Sequence, residues 1–298
     1  MRDSIRVRSF AKINWTLDVL FKREDGYHEI RTIYQTISLH DRIRLTRTAA
    51  QIEILTDNPA APSDQTNLAY KAAVLLREAT GVRAGAWIEI EKRIPVAAGL
   101  GGGSSNAASA LAGLCKLWRV EIDQSDLQMI AASLGSDVPF FLTGGTALGV
   151  GRGEEVYPLE ETSAENLVIA SPGVSVSTAA AYEKLSRLTR QKAARIIPLS
   201  LIAARGILEL PLAARNDFEP VVSAAHPEIA QLRRRLMDLG ASHAVMSGSG
   251  ATVVGVFDNR KSCERAQAAL TAMGLWAECA SAINRKQYRN TLFESESP

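Results

Sequence analysis

The chain is most constrained by one stretch, Pro95-Val96-Ala97-Ala98-Gly99-Leu100-Gly101-Gly102-Gly103-Ser104-Ser105-Asn106-Ala107. Residues 87–94 before it alternate apolar and charged side chains, which predicts a half-buried strand. Residues 104–118 after it carry apolar side chains at helical spacing, with Ser104 as the predicted N-cap. Because this loop lacks bulky side chains, its backbone N–H groups can converge on phosphate oxygens at the helix N-terminus.

Neither of two common phosphate-binding patterns describes this loop. It is not a Walker A loop, because no Gly-Lys-Ser/Thr follows the glycines, and the glycine spacing does not match the dinucleotide-binding fingerprint. Taken alone, the loop fits equally well a flexible Gly/Ser turn in which Ser104 is an ordinary N-cap. The choice between these interpretations depends on the rest of the chain.

Composition excludes several classes of protein. The 298 residues are 46% hydrophobic and carry a net charge of +2, which argues against a generic nucleic-acid binder. Three scattered cysteines argue against a disulfide framework or a zinc ribbon and favour a reducing compartment. Two long uncharged stretches, residues 94–115 and 239–257, are broken by Gly and Ser, so neither is expected to span a membrane. We therefore expect a cytoplasmic protein with no metal site built by its side chains and no membrane or nucleic-acid partner.

The order of the predicted elements indicates an α+β fold. A gathering of polar and acidic residues at 158–166 predicts a boundary between two domains, residues 1–157 and 158–298. Strands are predicted at residues 5–9, 11–20, 30–39, 42–46, 87–94, 144–150, 167–170, 243–247, 252–257 and 276–283. Helices are predicted at residues 67–80, 104–118, 125–134 (with Ser125 as N-cap) and 261–273, and from Thr178 and Pro227 onward.

Three motifs in order resemble those of the superfamily of galactokinase, homoserine kinase, mevalonate kinase and phosphomevalonate kinase (GHMP). They are Ala11-Lys12-Ile13-Asn14-Trp15-Thr16-Leu17, the glycine-rich stretch above, and Met246-Ser247-Gly248-Ser249-Gly250-Ala251-Thr252. The resemblance implies a two-domain α+β GHMP kinase fold. Residues 1–157 would bind ATP, residues 158–298 would form a ferredoxin-like α/β sandwich, and the active site would lie in the cleft between them.

Further segments narrow the resemblance to the branch of the superfamily that acts on a cytidine diphosphate-linked methylerythritol. They are Arg23-Glu24-Asp25-Gly26-Tyr27-His28, Gly135-Ser136-Asp137-Val138-Pro139-Phe140-Phe141 and Pro172-Gly173-Val174. The resemblance implies ATP-dependent phosphorylation of the 2-hydroxyl of that acceptor in the non-mevalonate isoprenoid pathway. It also implies Mg²⁺ carried with ATP, and a monomer or weak homodimer.

The resemblance assigns the chemistry to Asp137 and Lys12. Phosphoryl transfer to an alcohol depends on positioning and on charge neutralisation near the attacking hydroxyl. Local sequence alone favours Asp137 as a helix N-cap, because Pro139 follows it, and favours Lys12 as a side chain that reaches the surface. The resemblance instead places Lys12 beside Asp137, where Lys12 would keep the carboxylate ionised.

The remaining site residues follow from the resemblance and fall into two groups. The acceptor group comprises Asn14, Tyr27, His28, Asp137, Thr178, Tyr182, Gly248, Ser249 and Gly250. The alternatives for this group are a hairpin turn at Asp25-Gly26, another hairpin turn at residues 248–250, and plain packing of Tyr182.

The ATP group comprises Asn67, Lys92, Pro95, Gly99, Leu100, Gly101, Gly102, Gly103, Ser104 and Ser105. The alternatives for this group are that Asn67 is a helix N-cap and that Lys92 is solvated. Asn106 and Trp15 depart from the wider pattern, which bears on the shape of the acceptor pocket.

Three other functions stay open at this point. Another kinase of the superfamily would keep the loop but lack a cytidine-binding Asp-Gly-Tyr-His set. A non-catalytic nucleotide-binding regulator would keep the loop and usually lose Lys12 or Asp137. An RNA-binding module is disfavoured by the near-neutral charge.

Overall fold

The computed structural model describes residues 3–162, 164–189 and 214–294. The strands are β1 Ser4–Lys22, β2 His28–Thr48, β3 Ile52–Thr56, β4 Gly85–Glu91, β5 Thr146–Val150, β6 Glu155–Pro158, β7 Leu167–Ser171, β8 Arg215–Asn216, β9 His243–Met246, β10 Val253–Val256 and β11 Trp276–Ala280. The helices are α1 Leu68–Thr80, α2 Gly102–Trp118, α3 Gln124–Leu134, α4 Val138–Thr143, α5 Thr178–Thr189, α6 Glu219–Ala225, α7 Pro227–Asp238, α8 Arg260–Ala272 and α9 Arg285–Thr291. The predicted α+β class is confirmed.

The first sheet is built around the long antiparallel hairpin of β1 and β2. Among the described residues it has seven strands, in the order β3-β4-β2-β1-β8, with β5 paired to β2 and β6 to β5. The sequence predicts two strands where the structure has β1, and two more where it has β2. Register shifts such as that between Phe10 and Lys12 change which face the side chains point to, so one strand reads as two in the sequence pattern.

The second sheet is antiparallel, four-stranded within the described residues, and ordered β11-β7-β10-β9. Helices α7 and α8 pack their apolar stripes into its core through residues such as Leu232, Leu236, Ala266 and Leu270. β6 of the first sheet ends at Pro158 and β7 of the second begins at Leu167. The exact boundary at residues 157 and 158 stays a prediction, because the chain later returns to the first sheet through β8 and through residues 282–294.

Two predicted helix starts are wrong. Helix α2 begins at Gly102 with Gly101 as its N-cap, so Ser104 lies inside the first turn. Helix α3 begins at Gln124 with Asp123 as its N-cap, not Ser125. In both cases the N-cap makes no side-chain capping bond, so the usual capping preference gave no guide.

Within the described ranges, no helix combines the length and apolar character that a membrane crossing requires.

Helix α2 lies so close to the first sheet that one position on it must be glycine. A Cβ atom on Gly113 would lie 2.4 Å from Leu45 Cδ1 and 2.9 Å from Val7 Cγ2. Both of these side chains are fully buried. This close approach places the N-terminus of α2, and therefore the glycine-rich loop, directly beside β1.

Substituting alanine at this position should loosen that contact. We expect Gly113→Ala to be destabilised by about 1–3 kcal/mol relative to Gly103→Ala, because an extra methyl group overpacks the core. Both glycines lie in α2, so the gain in helix propensity is shared, and at Gly103 the nearest atom would be 3.9 Å away. Urea denaturation measures both. Equal free energies of unfolding for the two variants would contradict the packing argument.

Candidate active site

The glycine-rich loop joins β4 to α2 and turns three times through left-handed backbone conformations. Ala97, Gly99 and Gly101 have φ angles of 55°, 78° and 67°. Gly101 offers no side chain to the first turn of α2, so the N–H groups there carry no side-chain cap. Such a terminus presents several donors and the positive end of the helix dipole toward one point.

A second glycine-rich turn, between β9 and β10, lies directly on this loop. The Ser247 hydroxyl accepts a hydrogen bond from the Asn14 N–H at 3.3 Å and donates to the Gly99 carbonyl at 3.2 Å. A Cβ atom on Gly99 would lie 2.3 Å from the Ser247 carbonyl oxygen. The three motifs that are far apart in the sequence therefore meet at one buried hydroxyl.

Lys12 lies on β1 with its side chain inside the protein. Its backbone N–H donates to the Leu100 carbonyl at 3.0 Å, which fixes the strand against the loop. Its ammonium donates to Asn14 Oδ1 at 2.7 Å and lies 3.4 Å from Asp137 Oδ2. The lysine side chain is only 4% exposed, so the interpretation that it reaches the surface is wrong. A cation this buried is stable only when paired.

Asp137 stands where the N-cap of α4 would be, but it does not cap the helix. Its backbone is helical and its side chain makes no capping bond. The carboxylate is held by the Tyr34 hydroxyl, which donates to Oδ1 at 2.9 Å, and by Lys12 near Oδ2. The capping interpretation is therefore wrong for the side chain, and Asp137 is 31% exposed toward the cleft.

Two adjoining cavities meet at the glycine-rich loop. The larger has a volume of about 740 Å³ and lies between the first sheet, α5 and the turn after β9. The smaller has a volume of about 300 Å³ and lies between the loop and the start of α1. Four residues line both cavities: Ala97, Gly99, Gly101 and Ser104. A molecule in either cavity can thus reach the loop.

One end of the larger cavity is aromatic. The rings of His28 and Tyr182 are stacked 4.8 Å apart, and Phe218 meets Tyr182 edge-on at 4.7 Å. Burial, and then the positive charge of Lys22, lowers the pKa of His28. Burial, and then the charge of Asp137, raises the pKa of Tyr182 to about 12. Both rings are therefore neutral at neutral pH.

The rim of the same cavity carries the remaining acceptor candidates. Tyr27 is more than half exposed, and the Arg152 guanidinium lies 4.8 Å from its ring centre. The hydroxyls of Thr178 and Ser249 are 2.7 Å apart, which ties α5 to the turn after β9. The hairpin predicted at Asp25-Gly26 is confirmed, since the Arg23 N–H donates to the Tyr27 carbonyl at 2.8 Å.

Most of the predicted site residues line one or both cavities. They are Lys12, Asn14, Tyr27, His28, Asn67, Lys92, Pro95, Gly99, Leu100, Gly101, Gly102, Gly103, Ser104, Asp137, Thr178, Tyr182, Gly248 and Ser249. Asn67 is also the N-cap of α1, as its alternative interpretation held: its side chain accepts from the Ala69 N–H at 2.9 Å and donates to the Pro62 carbonyl at 2.7 Å.

Two predicted residues do not line either cavity. Ser105 is fully buried, and its hydroxyl accepts a hydrogen bond from the Ser9 hydroxyl at 2.8 Å. The residue lies on the face of α2 that packs against β1. Gly250 faces the second core, where a Cβ atom would lie 3.0 Å from Met246 Sδ. Sequence spacing does not show which side of a turn each residue faces.

The interpretation of Lys92 as a solvated residue is wrong, because its side chain is buried. Its ammonium forms an ion pair with the fully buried Asp41 and donates to Asn106 Oδ1 at 3.1 Å. The other Asp41 oxygen accepts from the N–H groups of Arg93 and Ile94, at 2.7 and 2.8 Å. Asn106 therefore belongs to a network beneath the loop and does not shape the acceptor cavity. Trp15 is likewise buried in a core cluster.

Sequence reasoning missed several groups that line the larger cavity. They are Leu17, Lys22, Gly26, Ile30, Tyr34, Ala97, Ser136, Arg152, Val176, Ala179, Glu183 and Phe218. Tyr34 makes a hydrogen bond to Asp137, yet it lies on an inner strand between isoleucine and glutamine, where the sequence gives no reason to separate it from a core residue. The available signal lies elsewhere in the chain, in Gly149 and Gly153, whose missing side chains leave room for its ring.

Family models and solved structures agree with this architecture. The model described as "GHMP kinases N terminal domain" matches residues 67–145, and "GHMP kinases C terminal" matches residues 199–274. A homoserine kinase from Cytophaga hutchinsonii has the same fold, with a TM-score of 0.67 at 21% identity over 96% of each chain. The fold and the site define a kinase of the GHMP type.

More similar relatives narrow the family. A 4-diphosphocytidyl-2-C-methyl-D-erythritol kinase of Bacillus mycoides is 45% identical over 84% of this chain and 87% of its own length. One of Bacillus cytotoxicus is 44% identical with the same coverage. The crystal structure of a 4-(cytidine 5'-diphospho)-2C-methyl-D-erythritol kinase matches with a TM-score of 0.80 and 35% identity, over 93% of this chain and 99% of that one. The chain belongs to the 4-diphosphocytidyl-2-C-methyl-D-erythritol kinase family.

The contact between the two glycine-rich turns can be tested by substitution. GHMP kinases use ATP as phosphate donor, and we expect Gly99→Ala to weaken ATP binding by about tenfold or more. The added Cβ collides with the Ser247 carbonyl, and the alanine must also adopt a left-handed backbone conformation.

Gly81→Ala is the matched control for that experiment. Gly81 has a similar φ of 66° but no atom within 4 Å of an added Cβ. It should lose about 1–2 kcal/mol of stability from backbone strain and keep its ATP affinity. Isothermal titration calorimetry of both variants separates collision from strain, and equal ATP affinities would refute the collision.

The buried pair of Lys92 and Asp41 can be tested through stability. Lys92→Met should lose about 3–5 kcal/mol, because it leaves the Asp41 carboxylate buried without its cation. The exposed Lys71→Met on α1 should change stability by less than about 0.5 kcal/mol. Chemical denaturation measures the difference, and similar values for the two variants would show that the ion pair contributes little.

Proposed function

We propose that this protein transfers the γ-phosphoryl group of ATP to the 2-hydroxyl of 4-diphosphocytidyl-2-C-methyl-D-erythritol, a step of the non-mevalonate isoprenoid pathway. The observation that carries the proposal is the pairing of Lys12 with Asp137 where two cavities meet at the glycine-rich loop. The acceptor is inferred from the relatives, which are named as kinases of 4-diphosphocytidyl-2-C-methyl-D-erythritol. The paired charges and the two cavities explain how this chain can act on it.

ATP fits the smaller cavity and the loop. Adenine would lie in the space between Asn67 and Pro95, and the triphosphate would run over residues 99–104. Gly99 and Gly101, both in left-handed conformations, line this space, and the helix dipole of α2 favours anions at its N-terminus. Main-chain donors of this kind explain how the chain holds a polyanion with a net charge of only +2.

The acceptor fits the larger cavity, whose volume lies within the range usual for small-molecule sites. Its aromatic end suits a nucleobase. The lowered pKa of His28 favours a neutral imidazole at the end of the cavity where the uncharged cytosine would lie. Tyr27 offers an exposed ring for stacking, and Tyr182 extends the aromatic end through its stacked contact with His28. The methylerythritol end would then extend toward Asp137.

Asp137 and Lys12 have complementary roles in the transfer. The oxygen of the acceptor 2-hydroxyl would attack the γ-phosphorus while the bond from phosphorus to the oxygen that bridges to the β-phosphate breaks. Asp137 would accept the proton of that hydroxyl or orient the hydroxyl. Lys12 would hold the carboxylate ionised and stabilise negative charge on the transferred group. Asn14 fixes the lysine by accepting its hydrogen bond.

Mg²⁺ belongs to this proposal as the partner of ATP. Among the described residues, no group of three or more His, Cys, Asp or Glu side chains could hold a metal ion. The hydroxyl of Ser104 lines both cavities and would be one oxygen ligand for the ion. A site with so few protein ligands suits Mg²⁺ that stays bound mainly to phosphate and water. When bound, the ion neutralises phosphate charge.

The cytoplasmic location and the monomeric or weakly dimeric state stay predictions.

Turnover measurements test the proposed function directly. A coupled ATP-turnover assay should show activity of the wild type with the cytidyl acceptor and none with homoserine or mevalonate. Asp137→Asn and Lys12→Ala should each lower kcat by ~10²–10³-fold or more, because each removes a charge that acts in the transition state. The exposed Asp123→Asn, at the start of α3, is the matched carboxylate control and should keep full activity.

Each failure of this assay has its own meaning. Turnover of homoserine or mevalonate alone would contradict the acceptor and leave another GHMP kinase activity. ATP binding without turnover of any acceptor would support a non-catalytic regulator. Full activity of Asp137→Asn would remove the role given to that carboxylate.

A further inference from the structure

Tyr34 is a buried tyrosine whose hydroxyl points at the carboxylate of Asp137. It lies on β2 and is only 1% exposed, yet it borders the larger cavity. Its hydroxyl donates to Asp137 Oδ1 at 2.9 Å, and its only other hydrogen-bond contact in the described part of the chain is the Gly153 carbonyl at 3.5 Å. A buried tyrosine needs a hydrogen-bond partner, and here that partner is the carboxylate.

The ring of Tyr34 is confined on several sides. A Cβ atom on Gly149 would lie 2.4 Å from Tyr34 Cε2, and one on Gly153 would lie 2.4 Å from the hydroxyl. Phe140, three residues after Asp137, packs on the ring at a centroid distance of 4.8 Å. Two glycines and one aromatic ring thus form a slot that holds the hydroxyl in one place. A hydroxyl fixed this well can define the orientation of the group that it contacts.

The two oxygens of Asp137 have different neighbours. Oδ1 receives the Tyr34 hydrogen bond and Oδ2 lies 3.4 Å from the Lys12 ammonium. We propose that Tyr34 is a positioning residue, which holds Asp137 so that Oδ2 faces the acceptor hydroxyl. The proposal rests on the proposed function, since the orientation has a role only if Asp137 acts on the acceptor.

The charges around Asp137 support a donor role for Tyr34. Burial and the charge of Asp137 raise the pKa of Tyr34, so the phenol stays protonated and donates. The other titratable groups that face this point are Lys12 from β1, Tyr182 from α5, and Glu154 and Arg152 from the loop after β5.

Tyr34→Phe removes the hydroxyl and keeps the ring in its slot. With the cytidyl acceptor and ATP, we expect kcat to fall by about tenfold while both KM values stay within about twofold, because the hydrogen bond acts on the reacting group and not on binding. A crystal structure of the variant should show the Asp137 carboxylate turned away from its wild-type orientation. An unchanged kcat together with an unchanged carboxylate orientation would overturn the proposal.

Tyr288→Phe is the matched control. Tyr288 is also buried, and its hydroxyl donates to the Phe141 carbonyl without touching Asp137. It should lose stability through a buried hydrogen bond and keep the orientation of the Asp137 carboxylate. If both variants changed kcat alike and neither changed that orientation, Tyr34 would be only structural.

The crystal structure of the variant also separates this inference from the proposed function. It reads the contact between Tyr34 and Asp137 without any turnover. If the wild type did not phosphorylate the cytidyl acceptor, the proposed function would fail, while a turned carboxylate would still support the contact. If the wild type were active and Tyr34→Phe fully so, the positioning role alone would fail.

Discussion

The whole site depends on one buried hydroxyl that joins three distant parts of the chain. Ser247, at the end of β9, accepts from the Asn14 N–H of the first strand and donates to the Gly99 carbonyl of the loop. The two backbones can approach this closely because Gly99 and Gly248 carry no Cβ atom: one on Gly99 would lie 2.3 Å from the Ser247 carbonyl oxygen, and one on Gly248 would lie 3.0 Å from the Gly99 carbonyl oxygen. The second sheet is thereby held against the loop and against β1, and the two cavities take their shape from this contact.

Charge in this site is managed by pairing inside the protein. Lys12 is paired with Asp137, and Lys92 with Asp41, so both buried cations are neutralised before any ligand arrives. The first pair faces the cleft and the second lies beneath the loop, where Asp41 also fixes the N–H groups of Arg93 and Ile94. One pair thus lines the larger cavity and the other fixes the segment before the loop, although both combine a lysine with an aspartate.

The sequence predicted most of the regular structure, because periodicity is a local signal. Helix α1 and the strands of the second sheet lie within a few residues of their predicted positions. What local reasoning could not predict is the direction of individual side chains. Ser104 and Ser105 are adjacent, yet one lines both cavities and the other is bonded to Ser9 in the interior. The resemblance to a known family placed Lys12 beside Asp137, whereas the local sequence alone favoured a surface lysine and a helix N-cap.

Tyr34 illustrates a second limit. A tyrosine between isoleucine and glutamine on an inner strand has no pattern that separates a core residue from one that contacts a carboxylate. The partner that matters lies about a hundred residues away, and the glycines that admit the ring lie on another strand and its following loop. Such an arrangement becomes visible only when the sheet is assembled.

The return of residues 282–294 to the first sheet has a consequence for how the protein is made. Tyr288 on α9 packs against Gly144 and bonds to the Phe141 carbonyl, so it supports α4, the helix that follows Asp137. The segment also pairs with β1 and β2, through Phe293 and Ala282. On the ribosome this segment is synthesised after every other part of the chain described here. The part of the chain that packs against α4 and pairs with β1 and β2 is therefore added last, and a ribosome-bound chain that lacks it has the glycine-rich loop without these contacts of the first sheet.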